Sequence, residues 1–73
     1  MEYNVSNYKN GSRYEGHWKN DLKEGKGTYY YANGDKYIGQ WKNDLMEGTG
    51  TYYHYASGSK YEGQWSNGRR KIL

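Results

Sequence analysis

Along the chain, aromatic and glycine positions recur every second residue in short runs, and polar clusters separate the runs. In Tyr14-Glu15-Gly16-His17-Trp18 the residues at i, i+2 and i+4 share one face of an extended strand, with Glu15 and His17 on the other. The run Gly25-Lys26-Gly27-Thr28-Tyr29-Tyr30-Tyr31 has the same period and predicts a return strand. Between them, Lys19 to Glu24 is polar apart from Leu22 and reads as the connecting loop. Asn33-Gly34 signals a two-residue turn into the next strand, and Asn10-Gly11 and Ser57-Gly58 stand at the same place.

The pattern repeats. Tyr14 to Leu22 returns as Tyr37 to Leu45 after 23 residues, and Tyr61-Glu62-Gly63-Gln64-Trp65 opens a third copy 24 residues further on. Glu24-Gly25-Lys26-Gly27-Thr28-Tyr29 likewise returns as Glu47-Gly48-Thr49-Gly50-Thr51-Tyr52. Residues 14–36 and 37–60 are therefore complete units. Residues 1–13 hold the return strand and turn of a partial one, and 61–73 an opening with a basic tail. Arg69 to Leu73 lacks the return-strand pattern, so no return strand is expected there. The extra residue of the second unit predicts a β-bulge or a longer turn around His54 to Ser57, since an uncompensated insertion flips every later side chain.

Composition explains what such hairpins can pack. Seventy-three residues allow one small domain with a thin core. There is no cysteine, so no disulfide thickens it, and a reducing compartment suits the chain. Phenylalanine and proline are absent, aliphatics are few, and eleven tyrosines, three tryptophans and eleven glycines dominate. Glycine inside a strand marks close approach by another group; rings from a neighbouring strand lying across the glycines give a core one ring thick. The expected fold is all-β: an elongated, solenoid-like single-layer antiparallel sheet of tandem hairpins.

On these residues the chain resembles the MORN repeat family. It has that family's Tyr-x-Gly-x-Trp opening, its Gly-x-Gly-Thr-Tyr return and its glycine turn, over roughly residues 8 to 68. The resemblance implies a curved sheet of stacked hairpins serving as a scaffold. Members are similar in binding protein segments or associating with membranes and cytoskeletal structures, cilia and flagella included, and such repeats also occur as accessory parts of larger enzymes. Three departures stand out. Ile38 replaces the acidic residue after the second opening tyrosine, Asn20-Asp21 and Asn43-Asp44 replace Asn-Gly, and only two units are complete where about three are usual.

Catalysis is not expected. Glu15, Glu24, Glu47 and Glu62 recur at matched positions, whereas catalytic carboxylates need unlike environments. His17 and His54 have no ligand spacing, so no metal or cofactor is expected. The rings are the binding candidates: Tyr14, Trp18, Tyr37, Trp41, Tyr61 and Trp65 on one face, Tyr30 and Tyr53 on the other. They would anchor a peptide or helix of a protein partner. The plainer alternative for most of them is packing on the glycines. Unfinished edges leave room for strand addition and self-association. Lys9, Arg13, Lys36, Lys60 and Arg69-Arg70-Lys71 could meet anionic lipid, though acidic residues are interspersed and the net charge is only +3. No basic stripe accompanies the rings, which argues against nucleic acid. Without a secretory pattern at Met1-Glu2-Tyr3-Asn4, the expected location is the cytoplasm, at the cytoskeleton, a cilium or a membrane.

Overall fold

The structure is a computed structural model that describes residues 2–71; Met1 and the final two residues of the 61–73 piece lie outside the described residues. Seven strands follow one another across one antiparallel sheet. They are β1 (Glu2–Asn7), β2 (Arg13–Lys19), β3 (Leu22–Tyr30), β4 (Lys36–Lys42), β5 (Leu45–Tyr53), β6 (Lys60–Ser66) and β7 (Arg69–Arg70). The sheet measures 32 × 28 × 14 Å. A thickness of 14 Å admits one layer with its side chains.

The two kinds of connection exchange the roles expected of them. Lys19 to Glu24 is no loop: β2 runs to Lys19, β3 starts at Leu22, and Asn20-Asp21 alone makes the turn. Both turn residues have positive φ, 52° and 64°, as do Asn43 and Asp44 at 49° and 70°. That is the geometry of a type I′ hairpin turn, for which Asn and Asp are among the few tolerant side chains. Asn33-Gly34 instead belongs to a three-residue loop. Gly34 N–H donates to the Tyr31 carbonyl at 3.0 Å and Tyr31 N–H to the Asp35 carbonyl at 2.9 Å. The Asn33 side chain decides this outcome, because its Oδ1 accepts from Asp35 N–H at 3.0 Å and holds a wider turn. Asn10 does the same for Ser12 N–H at 2.9 Å.

The extra residue of the second unit is taken up in the turn. His54 N–H reaches the Ser59 carbonyl at 2.9 Å and Gly58 N–H the His54 carbonyl at 3.0 Å. Register then resumes, with Tyr53 opposite Lys60 as Tyr30 is opposite Lys36. Bulges lie elsewhere, at positions the period-two reading passes over. Opposite β2 the pairing steps from Gly16↔Gly27 to Trp18↔Lys23, so His17 alone faces Glu24, Gly25 and Lys26. Gly25 takes φ 79° there and Gly48 φ 74° in the next hairpin, which glycine adopts without strain. A consequence for the site is that Lys23 and Met46 stand directly opposite Trp18 and Trp41, among the rings.

Both ends extend the array. β1 pairs with β2 (Asn4↔Gly16, Ser6↔Tyr14) as β3 pairs with β4 (Gly27↔Gly39, Tyr29↔Tyr37). It takes a return strand's place with small polar side chains instead of glycine and tyrosine. At the other end the expectation of no return strand is corrected. β7 makes a two-residue one, pairing Arg70 with Trp65 and Arg69 with Ser66.

The core is a file of rings. Tyr14 and Tyr37 are wholly buried, and Trp41 and Trp65 nearly so. Each tyrosine reaches along its own strand and covers two facing glycines, Tyr14 over Gly16 and Gly27, Tyr37 over Gly39 and Gly50. A Cβ at Gly27 or Gly50 would be driven into the phenol ring. The rings then meet edge to face in an unbroken line: Trp18–Tyr14 at 5.0 Å, Tyr14–Trp41 at 5.5 Å, Tyr37–Trp41 and Tyr37–Trp65 at 5.2 Å, and Tyr61–Trp65 at 5.5 Å. Tyr14 does not contact Tyr37 directly; Trp41 wedges between them. Such a pair contributes about 0.5–1.5 kcal/mol beyond the area it buries. Polar tips are satisfied locally. Tyr14 and Tyr37 hydroxyls donate to the His17 and Gln40 carbonyls at 3.0 Å, and the Trp41 and Trp65 indole N–H groups to the Gly27 and Gly50 carbonyls at 3.2 and 3.1 Å.

Candidate functional site

A second line of rings runs beside the core file on the same face. Tyr8 stacks on Tyr29 at 5.9 Å, and Tyr31, Tyr52 and His54 continue the line at spacings of 4.7, 5.4 and 4.7 Å. Between the two lines falls the second residue after each type I′ turn: Lys23, Met46 and Arg70, opposite Trp18, Trp41 and Trp65. What these three side chains do differs, and the difference shapes the surface.

In the first hairpin the space is filled. The Lys23 ammonium lies 5.4–5.9 Å from the centres of the Tyr14, Trp18, Tyr29 and Trp41 rings. Ring faces attract a cation, the more so where water is thinned. Asp44, from the next turn, supplies the countercharge. Its Oδ1 accepts from Lys23 N–H at 2.7 Å and stands 3.5 Å from the ammonium, while Asp44 N–H donates to the Lys23 carbonyl at 3.1 Å. This accounts for Asp44 where Gly is common: its carboxylate ties one hairpin to the one before it.

In the second hairpin Met46 and Gly68 stand where Lys23 and Asp44 stood. The backbone link persists, Gly68 N–H to the Met46 carbonyl at 3.0 Å, but the ion pair is gone. An open groove of about 450 Å³ remains, lined by Tyr31, Met46, Tyr52, His54, Tyr61, Trp65, Gly68 and Arg70. Arg70 lies over the Tyr61 ring, its guanidinium carbon 4.8 Å from the centroid. The groove thus joins apolar ring faces, a pliant thioether and one exposed cation. That combination suits an apolar side chain beside an acidic or carbonyl group. A polar depression of about 500 Å³ borders β1, lined by Glu2, Asn4, Ser6, Trp18, Lys19, Asn20 and Asp21. With one ring among amides, carboxylates and a hydroxyl, it offers an apolar ligand little.

Asp35 anchors the rim of the groove. It accepts from Tyr55 N–H and from the Tyr52 hydroxyl, both at 2.9 Å. The Tyr55 N–H chiefly holds its carboxyl below the ordinary aspartate value, with Tyr52, Asn33 and nearby His54 adding to the effect. Burial pushes the Tyr37 phenol up to about 12, and those of Tyr14 and Tyr52 further in the same direction.

Of the rings singled out in the sequence, Tyr14, Tyr37, Trp41 and Trp65 have their faces taken by the core, and Trp65 also forms a groove wall. Trp18 and Tyr61 are half-buried at the two ends of the file. Tyr30 and Tyr53 lie on the far face with more than a third of their surface exposed. The structure does not bring these eight into one site. Sequence reasoning passed over Tyr31 and Met46 as site residues and read Arg70 only within a basic tail that could meet lipid; aligning Leu22-Lys23 with Leu45-Met46 and Arg69-Arg70 after each turn would have placed Met46 and Arg70 together. The repeated glutamates have local partners. Glu24 and Glu47 accept from the Asn43 and Asn67 N–H groups of the following turns at 3.3 and 2.9 Å, and Glu15 and Glu62 pair with Arg13 and Lys60.

Comparison with known proteins agrees with the period. A family model for the MORN repeat matches residues 14–36, 37–60 and 61–71. No curated protein matches the chain.

Proposed function

The chain belongs to the MORN repeat family, whose repeats commonly contact proteins or membranes, and from that premise we propose that it is a non-catalytic adaptor holding a protein segment in the groove between Met46 and Arg70. The open groove carries this reading, because the same space in the first hairpin is closed by the chain's own lysine. Tyr31, Tyr52 and Tyr61 supply ring faces at little entropic cost, and Arg70 selects a segment with an acceptor beside its apolar residue. A non-catalytic role is consistent with glutamates engaged in bracing turns and in surface pairs. The proposal places the adaptor in the cytoplasm, with a cytoskeletal, ciliary or membrane-bound assembly as the setting.

The test is affinity capture from the native cell with mass spectrometry, using wild type, Met46→Lys and Lys23→Met in parallel. A partner retained by wild type and Lys23→Met but lost by Met46→Lys supports the reading. A partner held equally by all three, or capture of anionic vesicles alone, contradicts it.

A further inference from the structure

The face opposite the core carries an order of its own. A row at its margin, where the strands meet the longer turns, runs Arg13, Tyr30, Lys36, Tyr53 and Lys60, each directly opposite the next. Cations and rings alternate here, a basic row among rings that the sequence did not lead us to expect because strand pairing assembles it: Arg13 lies 5.9 Å from the Tyr30 centroid, and Lys36 and Lys60 lie 5.0 and 5.9 Å from that of Tyr53.

The outer two cations have carboxylates at hand and the middle one has none. Arg13 bonds Glu15 at 2.6 Å and Lys60 bonds Glu62 at 2.8 Å, each two residues along its own strand. The matching position beside Lys36 is Ile38. Among the described residues no carboxylate lies within 4.0 Å of the Lys36 ammonium. The departure from the repeat at Ile38 therefore leaves one uncompensated charge in the middle of this row, between two exposed tyrosines.

We propose that this face docks an acidic polyproline-type segment of a partner protein, with one of its carboxylates on Lys36. Spacing selects the conformation. Successive cations in the row are two strand separations apart, about 9.5 Å. A polyproline II helix repeats every three residues at 3.1 Å each, about 9.3 Å, so an acidic residue in every third position keeps step with the row. A β-strand repeats its facing side chains at roughly 6.7 Å and falls out of step. Proline rings between the acids then meet Tyr30 and Tyr53, the contact on which aromatic-lined proline-binding surfaces rely. The exposed pairs at Arg13 and Lys60 are weakly held and can exchange partners.

Fluorescence anisotropy with a labelled peptide of repeating Pro-Pro-Glu tests this. The expected result is saturable binding that weakens with salt, fails for the Pro-Pro-Gln peptide, and is unchanged by Arg70→Ala in the other face's groove. Ile38→Glu supplies the missing carboxylate, as Glu15 and Glu62 do in the flanking repeats, and should weaken binding about tenfold or more. Lys36→Gln should do the same, and serves if circular dichroism finds Ile38→Glu unfolded. No saturable binding, equal binding of the glutamine peptide, or indifference to both substitutions overturns the proposal. Lys36-dependent binding of phosphatidylserine vesicles without binding of the peptide also overturns it, in favour of a lipid.

Discussion

The two complete hairpins share one core and differ at its margin. In the first, Lys23 lies among four rings with Asp44 as its countercharge. In the second, Met46 and Gly68 hold the same places, and a groove opens between the ring lines. The backbone does not change between them, since the turn-to-turn link (Asp44 N–H to Lys23, Gly68 N–H to Met46) is present in both. Repetition fixes the scaffold here, and two substitutions per unit decide whether a unit closes on itself or stays open.

The largest expected effect removes what the hairpins share. Trp41 lies between Tyr14 and Tyr37 and is nearly buried, so Trp41→Ala should cost about 3–5 kcal/mol in urea denaturation. Trp18→Ala, at the half-buried end of the file, should cost clearly less. Equal losses would mean the file is not a continuous core. Next come the glycines under the tyrosines. Gly27→Ala and Gly50→Ala place a methyl group into the Tyr14 and Tyr37 rings, and each should cost about 1–3 kcal/mol. Near-identical values would confirm that the hairpins are equivalent inside and unlike only at the margin.

Smaller effects sharpen the margin itself. Lys23→Met removes a largely covered cation among rings and its pairing with the exposed Asp44, and should lower stability by about 1 kcal/mol or less in thermal melts. A larger loss would show that the caged lysine belongs to the core. Alkali then probes the covered phenols. Their folded values are raised above the ordinary phenol value of 10, to about 12 for Tyr37. The unfolded chain therefore ionises first, and stability present below pH 10 should fall as pH rises through 12. Asp35 gives the opposite sign and a smaller change: its folded value is lowered, so its contribution should persist above the ordinary aspartate value of 3.8 and fade as pH drops below it. Asp35→Asn should flatten that acid limb, which circular dichroism at graded pH can follow.

Much of this fold was legible in the residues. The period of two and the repeat of about 23 residues identify the hairpins, and alternating Gly and ring positions identify the core face. Turn chemistry was harder, because the same Asn-Gly pair serves two turn types. The Asn33 side chain accepts from Asp35 N–H and selects the three-residue loop, an interaction that composition does not reveal. The bulge at Gly25 was hidden by its neighbour Gly27, and with it the placement of Lys23 and Met46 on the ring face. The site was less legible still. Tyr14, Tyr37 and Tyr61 open identical motifs, yet Tyr14 and Tyr37 are sealed by the return strand that follows, while β7 stops after two residues and leaves Tyr61 half-buried. Whether such a ring is core or surface depends on its position in the array, which its local sequence does not encode.

The contrast between the margins is tested most directly by exchanging them. Met46→Lys with Gly68→Asp should close the second groove, and Lys23→Met with Asp44→Gly should open the first. Against the partner identified by capture, isothermal titration should find affinity about tenfold or more lower for the first pair. The second pair should keep wild-type affinity at the original groove and gain a weaker second site. Unchanged affinity in the closed variant, with its fold intact by circular dichroism, would contradict the account.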